Sequence, residues 1–503
     1  MLTQIVLLMT DTTRWDMLNC YARTGLQTPH LDRLAADGVR FDRAYTCQPV
    51  CGPARAGLFT GQWPHTNGGW ANNLPLANIT RHIGQRIKDA NPNIHTAYIG
   101  KWHLDSSDYF GTGECPDGWD PEYWYDMRNY LEELSPEDRV RSRNWKTNRE
   151  SITADFTFGH RCSNRAIDFL EKHKNDDFLL IVSYDEPHGP SLCPPPYCDM
   201  YKDFEFPKAP NVWDTLEDKP EHQRAWADWR LNHDKAARDA VKITRRDFFG
   251  SQSFVDSEIG RVVGAIDENA PDAMVIYTSD HGDALESHRI SNKGPAMYDE
   301  ITRIPLIVRW PGKTSANTHS SHPISHIDIT PTILDAFGIL IEPLQKVLEG
   351  KSMLPTFRDP TIKPNDIIFM EFGRYEIDHD SFGGIEPVRC AFDGRYKLTI
   401  NLLFTDELYD LETDPYEMTN LINSPAHVAA RNRLHDAILN WLNATRDPFR
   451  GSVWERRPWR TDARPHTFNY TGYRRQRYPD IGERLQLDYG TGMPLTDMDV
   501  YTT

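Results

Sequence analysis

The sequence has no apolar run of about 18 residues, the length a membrane-crossing helix needs. It has no internal repeat and no low-complexity linker, which excludes a solenoid or a tether built on one. Basic residues are in deficit: 56 Lys and Arg against 73 Asp and Glu leave a formal charge of −17. That deficit argues against a general nucleic-acid binder, whose affinity rests on clustered cations. Any anionic ligand must therefore find a local positive site. Cysteine is too sparse for a disulfide scaffold, with 8 residues scattered through 503. The start, 1–11, carries an apolar patch but no basic flank and no small-residue cleavage site. It reads as a buried first strand and not a signal peptide, so a cytoplasmic location with no membrane contact is expected.

What is present is enough for a sizeable core: 39% of residues are hydrophobic and 26% charged. Short apolar runs of strand length occur at 5–9, 96–99, 178–184, 274–278 and 305–308. Helical stretches at 163–174 and 247–268 lie between them, and Thr28-Pro29 opens a shorter helix that closes at Gly38. Alternating strands and helices predict an α/β fold, an open and mostly parallel sheet between helices. Four of the runs lead straight into ionisable residues: Asp11; Lys101 and His103; Asp185, Glu186 and His188; Asp280 and His281. Ligands bind beyond the carboxyl ends of strands in such sheets, so these residues are expected to gather at one edge.

Beyond about residue 340 the texture changes. Val388–Phe392, the turn Asp393-Gly394-Arg395 and a second strand from Tyr396 read as a β-hairpin, and Ser424-Pro425 opens a helix running to about Thr445. Three units are expected: a catalytic α/β domain at 1–365, a smaller α+β subdomain at 366–446 with an antiparallel sheet and a helix, and a tail at 447–503. The tail is rich in Arg and Trp and is expected to wrap the surface or to contact a second copy in a homo-oligomer.

The most informative segment is Cys51-Gly52-Pro53-Ala54-Arg55-Ala56-Gly57-Leu58-Phe59-Thr60-Gly61. Pro53 suits the first turn of a helix whose N-terminus lies near residue 51, an end that favours an anion. This segment resembles the signature of the type I, formylglycine-dependent sulfatases of the alkaline phosphatase superfamily. The resemblance extends through Thr10-Asp11-Thr12-Thr13-Arg14, Gly100-Lys101-Trp102-His103, Pro187-His188, Thr278-Ser279-Asp280-His281-Gly282 and Glu407-Leu408-Tyr409-Asp410-Leu411. The segments 108–116 and Arg374-Tyr375-Glu376 are similar to a cytoplasmic bacterial subgroup of that family.

The resemblance implies an alkaline-phosphatase-like fold and a sulfuric ester hydrolase. Cys51 would be oxidised to formylglycine by a maturation enzyme. In the hydrated aldehyde one hydroxyl attacks sulfur and the other lets the sulfate go, an exit that a plain Cys or Ser lacks. Asp11, Thr12, residue 51, Asp280 and His281 are implied to hold one divalent metal. Calcium is the family default, and Mg²⁺ or Mn²⁺ also suit the donors. Thr12 replaces the second carboxylate usual there. Arg55 is expected to fold back to hold the hydrate oxygen on residue 51 and to supply fixed positive charge, and Lys101 and Lys293 are implied to grip sulfate oxygens. His103 would assist sulfate elimination and His188 stand near the leaving-group oxygen, roles suited to imidazole. Trp70, Asn73, His379 and Asp380 are candidate substrate contacts. Cys47, Asp283, His288, His326 and Asp328 are read as structural.

The expected reaction is hydrolysis of a small sulfated carbohydrate, with aryl sulfates as surrogates. Phosphonate monoester and phosphodiester hydrolases resemble the same pattern and share the Cys-Gly-Pro-Ala-Arg core, which makes them the alternative. A binder of sulfated ligands with an unmodified Cys51 is the third reading.

Overall fold

The computed structural model describes residues 2–77, 79–105, 108–231, 241–340, 342–377 and 384–463. The apolar runs become strands of one eight-stranded sheet. Its order is Thr318–Ser320, Val39–Phe41, Leu306–Arg309, Met274–Ser279, Gln4–Asp11, Phe178–Pro187, His95–Gly100 and Trp124–Tyr125. Gln4–Asp11 lies at the centre, parallel to both neighbours. His95–Gly100 extends the parallel set on one side. On the other side Leu306–Arg309 runs antiparallel to Met274–Ser279 and to Val39–Phe41. A strand buried on both faces shows the same unbroken apolar run in either direction, so its sense was not readable from sequence.

Both faces are covered because successive side chains point to opposite sides. Val6 and Leu8 join a core with Phe158, Phe169, Phe249, Val255 and Ile259, from the helices Phe158–Lys172 and Arg246–Asn269. Ile5, Leu7 and Met9 join the opposite core with Ala56, Leu58, Phe59, Ile83 and Ile87, from Cys51–Thr60 and Ile83–Ala90. The parallel strands therefore end together, at Asp11, Gly100, Pro187 and Ser279.

The carboxyl-terminal part is a four-stranded antiparallel sheet of Ile368–Phe372, Val388–Phe392, Tyr396–Asn401 and Glu407–Asp410. The hairpin falls where the turn residues place it. The helix Val428–Ala444 packs on this sheet through Leu434, Ile438 and Leu442, and their core also takes in Cys47, Trp63 and Ile327. The two parts thus share buried apolar surface. The described start of the tail packs on the smaller sheet: Trp454 is buried and Arg457 Nε donates to Asp406 Oδ2 at 2.8 Å.

Candidate active site

The strand ends and one helix N-terminus converge on Cys51, the first residue of Cys51–Thr60. That helix starts tightly because Asn72 Oδ1 accepts from the Gly52 amide at 2.8 Å. It stops where Gly61 takes a left-handed φ of 67° and donates its N–H to Gly57 O. Gly57 faces Cys47, and a Cβ there would overlap the Cys47 sulfur. Cys47 is accordingly a packing residue of the helix face.

Asp11, Cys51, Asp280 and His281 are all buried, and one ligand atom from each lies within 4.8 Å of the others. Cys51 Sγ is 3.2 Å from His281 Nε2 and 3.7 Å from Asp11 Oδ1. His281 Nδ1 lies 2.9 Å from Gly282 O. With its proton on Nδ1 toward that carbonyl, the ring keeps a lone pair on Nε2 facing the cluster, the orientation a metal-bound imidazole needs. Burial and the Asp11 charge push the Asp280 carboxyl up to about 7 against the pull of Arg55. Two crowded carboxylates with an inward imidazole lone pair fit a divalent cation. Thr12 stands between the carboxylates with a left-handed φ of 70°. Its hydroxyl donates to Asp11 Oδ1 at 2.7 Å and its amide to Asp280 Oδ1 at 3.0 Å.

Arg55 is wholly buried beneath this cluster. It donates from Nε to Asp280 Oδ2 and from Nη2 to Asp11 Oδ2, each at 3.2 Å. Its Nη1 donates to Lys101 O and Ser183 Oγ, each at 2.7 Å. Its hydrogen bonds thus go to the two carboxylates and the strand ends, and none to Cys51 appears among the described residues. Its positive charge reaches the centre through that scaffold.

The two lysines differ. Lys101 Nζ is 2.8 Å from Asp11 Oδ2, 3.0 Å from Asp185 Oδ1 and 2.6 Å from Tyr109 Oη. Lys293 is 5% exposed, yet among the described residues no carboxylate oxygen lies within 4.0 Å of its ammonium. Burial works against its charge, and Cys51, Tyr375 and Asp11 outweigh that and hold its pKa well above the ordinary value. Burial and Asp11 likewise push the Cys51 thiol up to about 12. A neutral thiol is a poor nucleophile, so the unmodified side chain is ill placed to do the chemistry alone.

The histidines occupy the rim of the same centre. His103 has a left-handed φ of 62°, and its Nε2 lies 3.0 Å from Asn73 Oδ1. Its buried Nδ1 has no partner among the described residues. His188 Nδ1 is 2.9 Å from Gly189 O and 3.1 Å from Tyr109 Oη. Burial and then Lys101 and Lys293 lower its pKa to about 4, so the imidazole is neutral in the free site. Asn73 also donates from Nδ2 to Glu376 Oε1 at 2.6 Å. The Asn72 amide donates to Tyr375 O at 2.9 Å, and the half-buried Trp70 lies against Gly373. The segments 70–73 and 373–376 thus form one wall. His379 and Asp380 lie outside the described residues.

Four contributors were not singled out from sequence as site residues. Tyr109 joins Lys101, Asp185 and His188, donating to Asp185 Oδ1 at 2.8 Å. Asn72 caps the helix, Ser183 anchors Arg55, and Tyr375 brings its phenol into the field of Lys293 and Cys51. Tyr109 and Tyr375 do fall in the segments marked as similar to a bacterial subgroup. By contrast, His326 Nε2 is 2.8 Å from Ser279 O, and Asp328 accepts from the amides of Ser325 and Lys351. His288 is stacked on Tyr298 with ring centroids 3.6 Å apart, and Asp283 accepts from Arg245. These residues serve the frame.

Comparison with known proteins finds relatives along most of the chain. The family model "Sulfatase" matches residues 3–339, and the model "N-sulphoglucosamine sulphohydrolase, C-terminal" matches residues 288–444. The chain is 44% identical over 500 residues to the uncharacterized sulfatase YidJ of Escherichia coli (strain K12), covering 98% of this chain and 97% of that one. Among solved structures it is similar in fold to BT4656 in complex with its substrate D-glucosamine-2-N,6-O-disulfate. That match has a TM-score of 0.73 at 21% identity and covers 89% of this chain and 99% of the other. The phosphonate monoester hydrolase SpPMH from Silicibacter pomeroyi aligns with a TM-score of 0.70 at 22% identity, covering 88% and 96% of the two chains.

Proposed function

The chain belongs to the sulfatase family, as an enzyme of alkaline-phosphatase-like fold, and from that premise we propose that it hydrolyses the sulfate monoester of a small carbohydrate to alcohol and inorganic sulfate. The observation that carries this reading is the position of Cys51. It lies between two carboxylates with an imidazole and a buried ammonium with no carboxylate within 4.0 Å among the described residues. The disulfated glucosamine bound by BT4656 supports a sulfated sugar as substrate. The catalytic part spans 1–365, followed by the subdomain at 366–446 and the tail at 447–503.

Asp11, Asp280, His281 and residue 51 would hold one divalent ion, with Thr12 fixing the two carboxylates. The carboxylate oxygens suit Ca²⁺ or Mg²⁺, and the His281 imidazole admits Mn²⁺ as well. Bound there, the ion supplies positive charge that favours an ionised oxygen on residue 51. A formylglycine at position 51, made by a maturation enzyme, supplies in its hydrated form one hydroxyl to attack and another to release sulfate. Lys293 holds the sulfate oxygens, since no carboxylate oxygen among the described residues lies within 4.0 Å of its ammonium. Lys101, shared among Asp11, Asp185 and Tyr109, supplies fixed charge and shape. His188, whose Nδ1 is held by Gly189 O and Tyr109, turns Nε2 to the leaving oxygen and gives it a proton as the imidazolium, the form that the negative charge of a bound sulfate ester favours. His103, steadied through Nε2 by Asn73, keeps Nδ1 to take the proton that must leave residue 51. Trp70 and Asn73 form part of the wall that the sugar meets.

The test uses protein co-expressed with a formylglycine-generating enzyme. Mass analysis of the Cys51 peptide should show the aldehyde. Paired nitrophenyl sulfate and phenylphosphonate esters should be turned over with clear preference for sulfate, and Cys51→Ala should be inactive. Preference for the phosphonate would move the site to phosphorus esters. Turnover by Cys51→Ala would overturn the mechanism.

A further inference from the structure

A second cluster of ligating side chains lies at the opposite ends of the same strands. His95 is the first residue of His95–Gly100, and its amide donates to Asp177 O in the turn that precedes Phe178–Pro187. The active centre lies beyond the carboxyl ends of these strands. Five residue steps at about 3.3 Å put His95 about 17 Å from the Gly100 end. His173 sits at the carboxyl end of the 15-residue helix Phe158–Lys172, and the Asp176 amide donates back to His173 O. Packing of strand, turn and helix end thus brings three donors together: His95 Nε2, His173 Nδ1 and Asp176 Oδ2.

One ligand atom from each of the three lies within 4.8 Å of the others. His173 Nδ1 is 2.9 Å and His95 Nε2 3.9 Å from Asp176 Oδ2. The imidazole centroids are 4.2 Å apart. The nitrogens that face away from the cluster also have oxygen partners. His173 Nε2 is 2.7 Å from Tyr123 Oη, and His95 Nδ1 is 3.4 Å from Asp120 Oδ2. Asp120 is itself held, accepting from the Thr96 amide at 2.9 Å and pairing with Lys88 at 2.6 Å. Outer oxygen partners on the second ring nitrogen are what orient metal-bound histidines. The end-of-helix carbonyls beside His173 add a partial negative charge that favours a cation.

We propose that His95, His173 and Asp176 form a binding site for a borderline divalent transition metal such as Zn²⁺, distinct from the active centre. Two imidazoles and one carboxylate match that class and not Ca²⁺, which takes an oxygen shell. The His95 side chain is 36% exposed and can turn to close the remaining gap, leaving a coordination position open to water. The bound ion ties the starts of two adjacent parallel strands to the end of the helix that covers them. The site does not depend on the sulfatase reading of the other edge.

The test is titration of the calcium-loaded, matured enzyme with Co²⁺, read by its visible absorption, followed by competition with Zn²⁺. The parent should bind one equivalent with a tetrahedral or five-coordinate spectrum. His95→Ala and His173→Ala should each weaken binding by at least about 100-fold, beyond the 10–100-fold that loss of an outer partner costs; Tyr123→Phe should fall within that outer range. Turnover of nitrophenyl sulfate by the exposed-site variant His95→Ala should equal that of the parent, and circular dichroism checks its fold. A Co²⁺ equivalent that persists unchanged in both histidine variants overturns the site, whatever the turnover. So does a parent with no such equivalent. An inactive parent that loses its Co²⁺ in both variants leaves this site standing and counts against the sulfatase reading alone.

Discussion

Replacing Lys293 by Met separates what the site does from what holds it together. The lysine is 5% exposed and has no carboxylate oxygen within 4.0 Å among the described residues. In the matured, metal-loaded enzyme the Cys51 thiol is replaced and the bound cation offsets Asp11, so the attraction that holds the Lys293 pKa up in the free site is lost and the ammonium carries a desolvation cost that the folded state bears. Methionine fills nearly the same length with apolar atoms, so Lys293→Met should raise stability by about 1–2 kcal/mol. Its effect on rate has the opposite sign. Unit charges 4 Å apart at an effective dielectric near 20 interact by about 4 kcal/mol. Only the part that grows as charge shifts toward the sulfate and leaving oxygens changes kcat. Removing one fixed donor of that kind lowers kcat by about 10²–10³-fold. The assay pairs urea unfolding of the matured, metal-loaded enzyme with nitrophenyl sulfate kinetics. A variant destabilised by more than about 2 kcal/mol, with kcat within about threefold of the parent, would make Lys293 a structural lysine and refute the reasoning.

Three further outcomes are expected. Gly57→Ala pushes a methyl into the Cys47 sulfur and should cost about 1–3 kcal/mol in urea unfolding; Cys47→Ala in the same chain should recover most of it, and an equal cost in both would show that the strain lies elsewhere. Tyr109→Phe removes the hydroxyl that bridges Lys101 and Asp185 at 2.6 and 2.8 Å; kcat should fall by about 10-fold with KM little changed, and a change in KM alone would make Tyr109 a simple binding contact. His82 is buried, stacked on Trp119, and burial lowers its pKa to about 3. The unfolded chain takes up that proton near pH 6.5, so the contribution of His82 is complete above about 6.5 and is lost as pH falls toward 3, by about 4–5 kcal/mol in all. His82→Gln should flatten the stability–pH curve over that window, and an unchanged slope would assign it to other groups.

Much of the centre was legible because the chain concentrates its chemistry at strand ends. Asp11, Lys101, His188 and Asp280 each follow an apolar run by two to four residues, and parallel pairing makes those runs end together. A reader needs only the strand pattern and the rule that ligands sit beyond carboxyl ends. Five of the eight strands, the hairpin and the long helices followed from the same local periodicities, whereas the short strands Val39–Phe41, Trp124–Tyr125 and Thr318–Ser320 carry too few residues to show a period. The sense of Leu306–Arg309 did not, nor did the role of Tyr109. A tyrosine eight residues after Lys101 looks like any loop aromatic until the Phe178–Pro187 strand brings Asp185 to its hydroxyl. Asn72 and Tyr375 are joined through pairing of 70–73 with 373–376, some 300 positions apart, which no local pattern encodes.

The backbone at the strand ends shows why position alone does not complete the site. Gly100 has φ 124°, and a Cβ there would collide with Ser183 O. Only glycine allows the two chains to close so far that the Lys101 amide donates to Ser183 O at 2.8 Å. That approach puts Lys101 O and Ser183 Oγ together, where Arg55 Nη1 bonds both at 2.7 Å. Thr12 and His103 then adopt left-handed φ values of 70° and 62°, which are costly for residues with a Cβ and rarest for a β-branched one. Both turn the chain sharply just past a strand end, which lets Thr12 reach the two carboxylates and His103 reach Asn73. Their cost is carried by the hydrogen bonds on either side, so the strain and the placement of the reactive groups are one feature of the fold. A glycine in such a turn announces itself in a sequence; a threonine or histidine does not, and these are the positions where pattern reading had to give way to geometry.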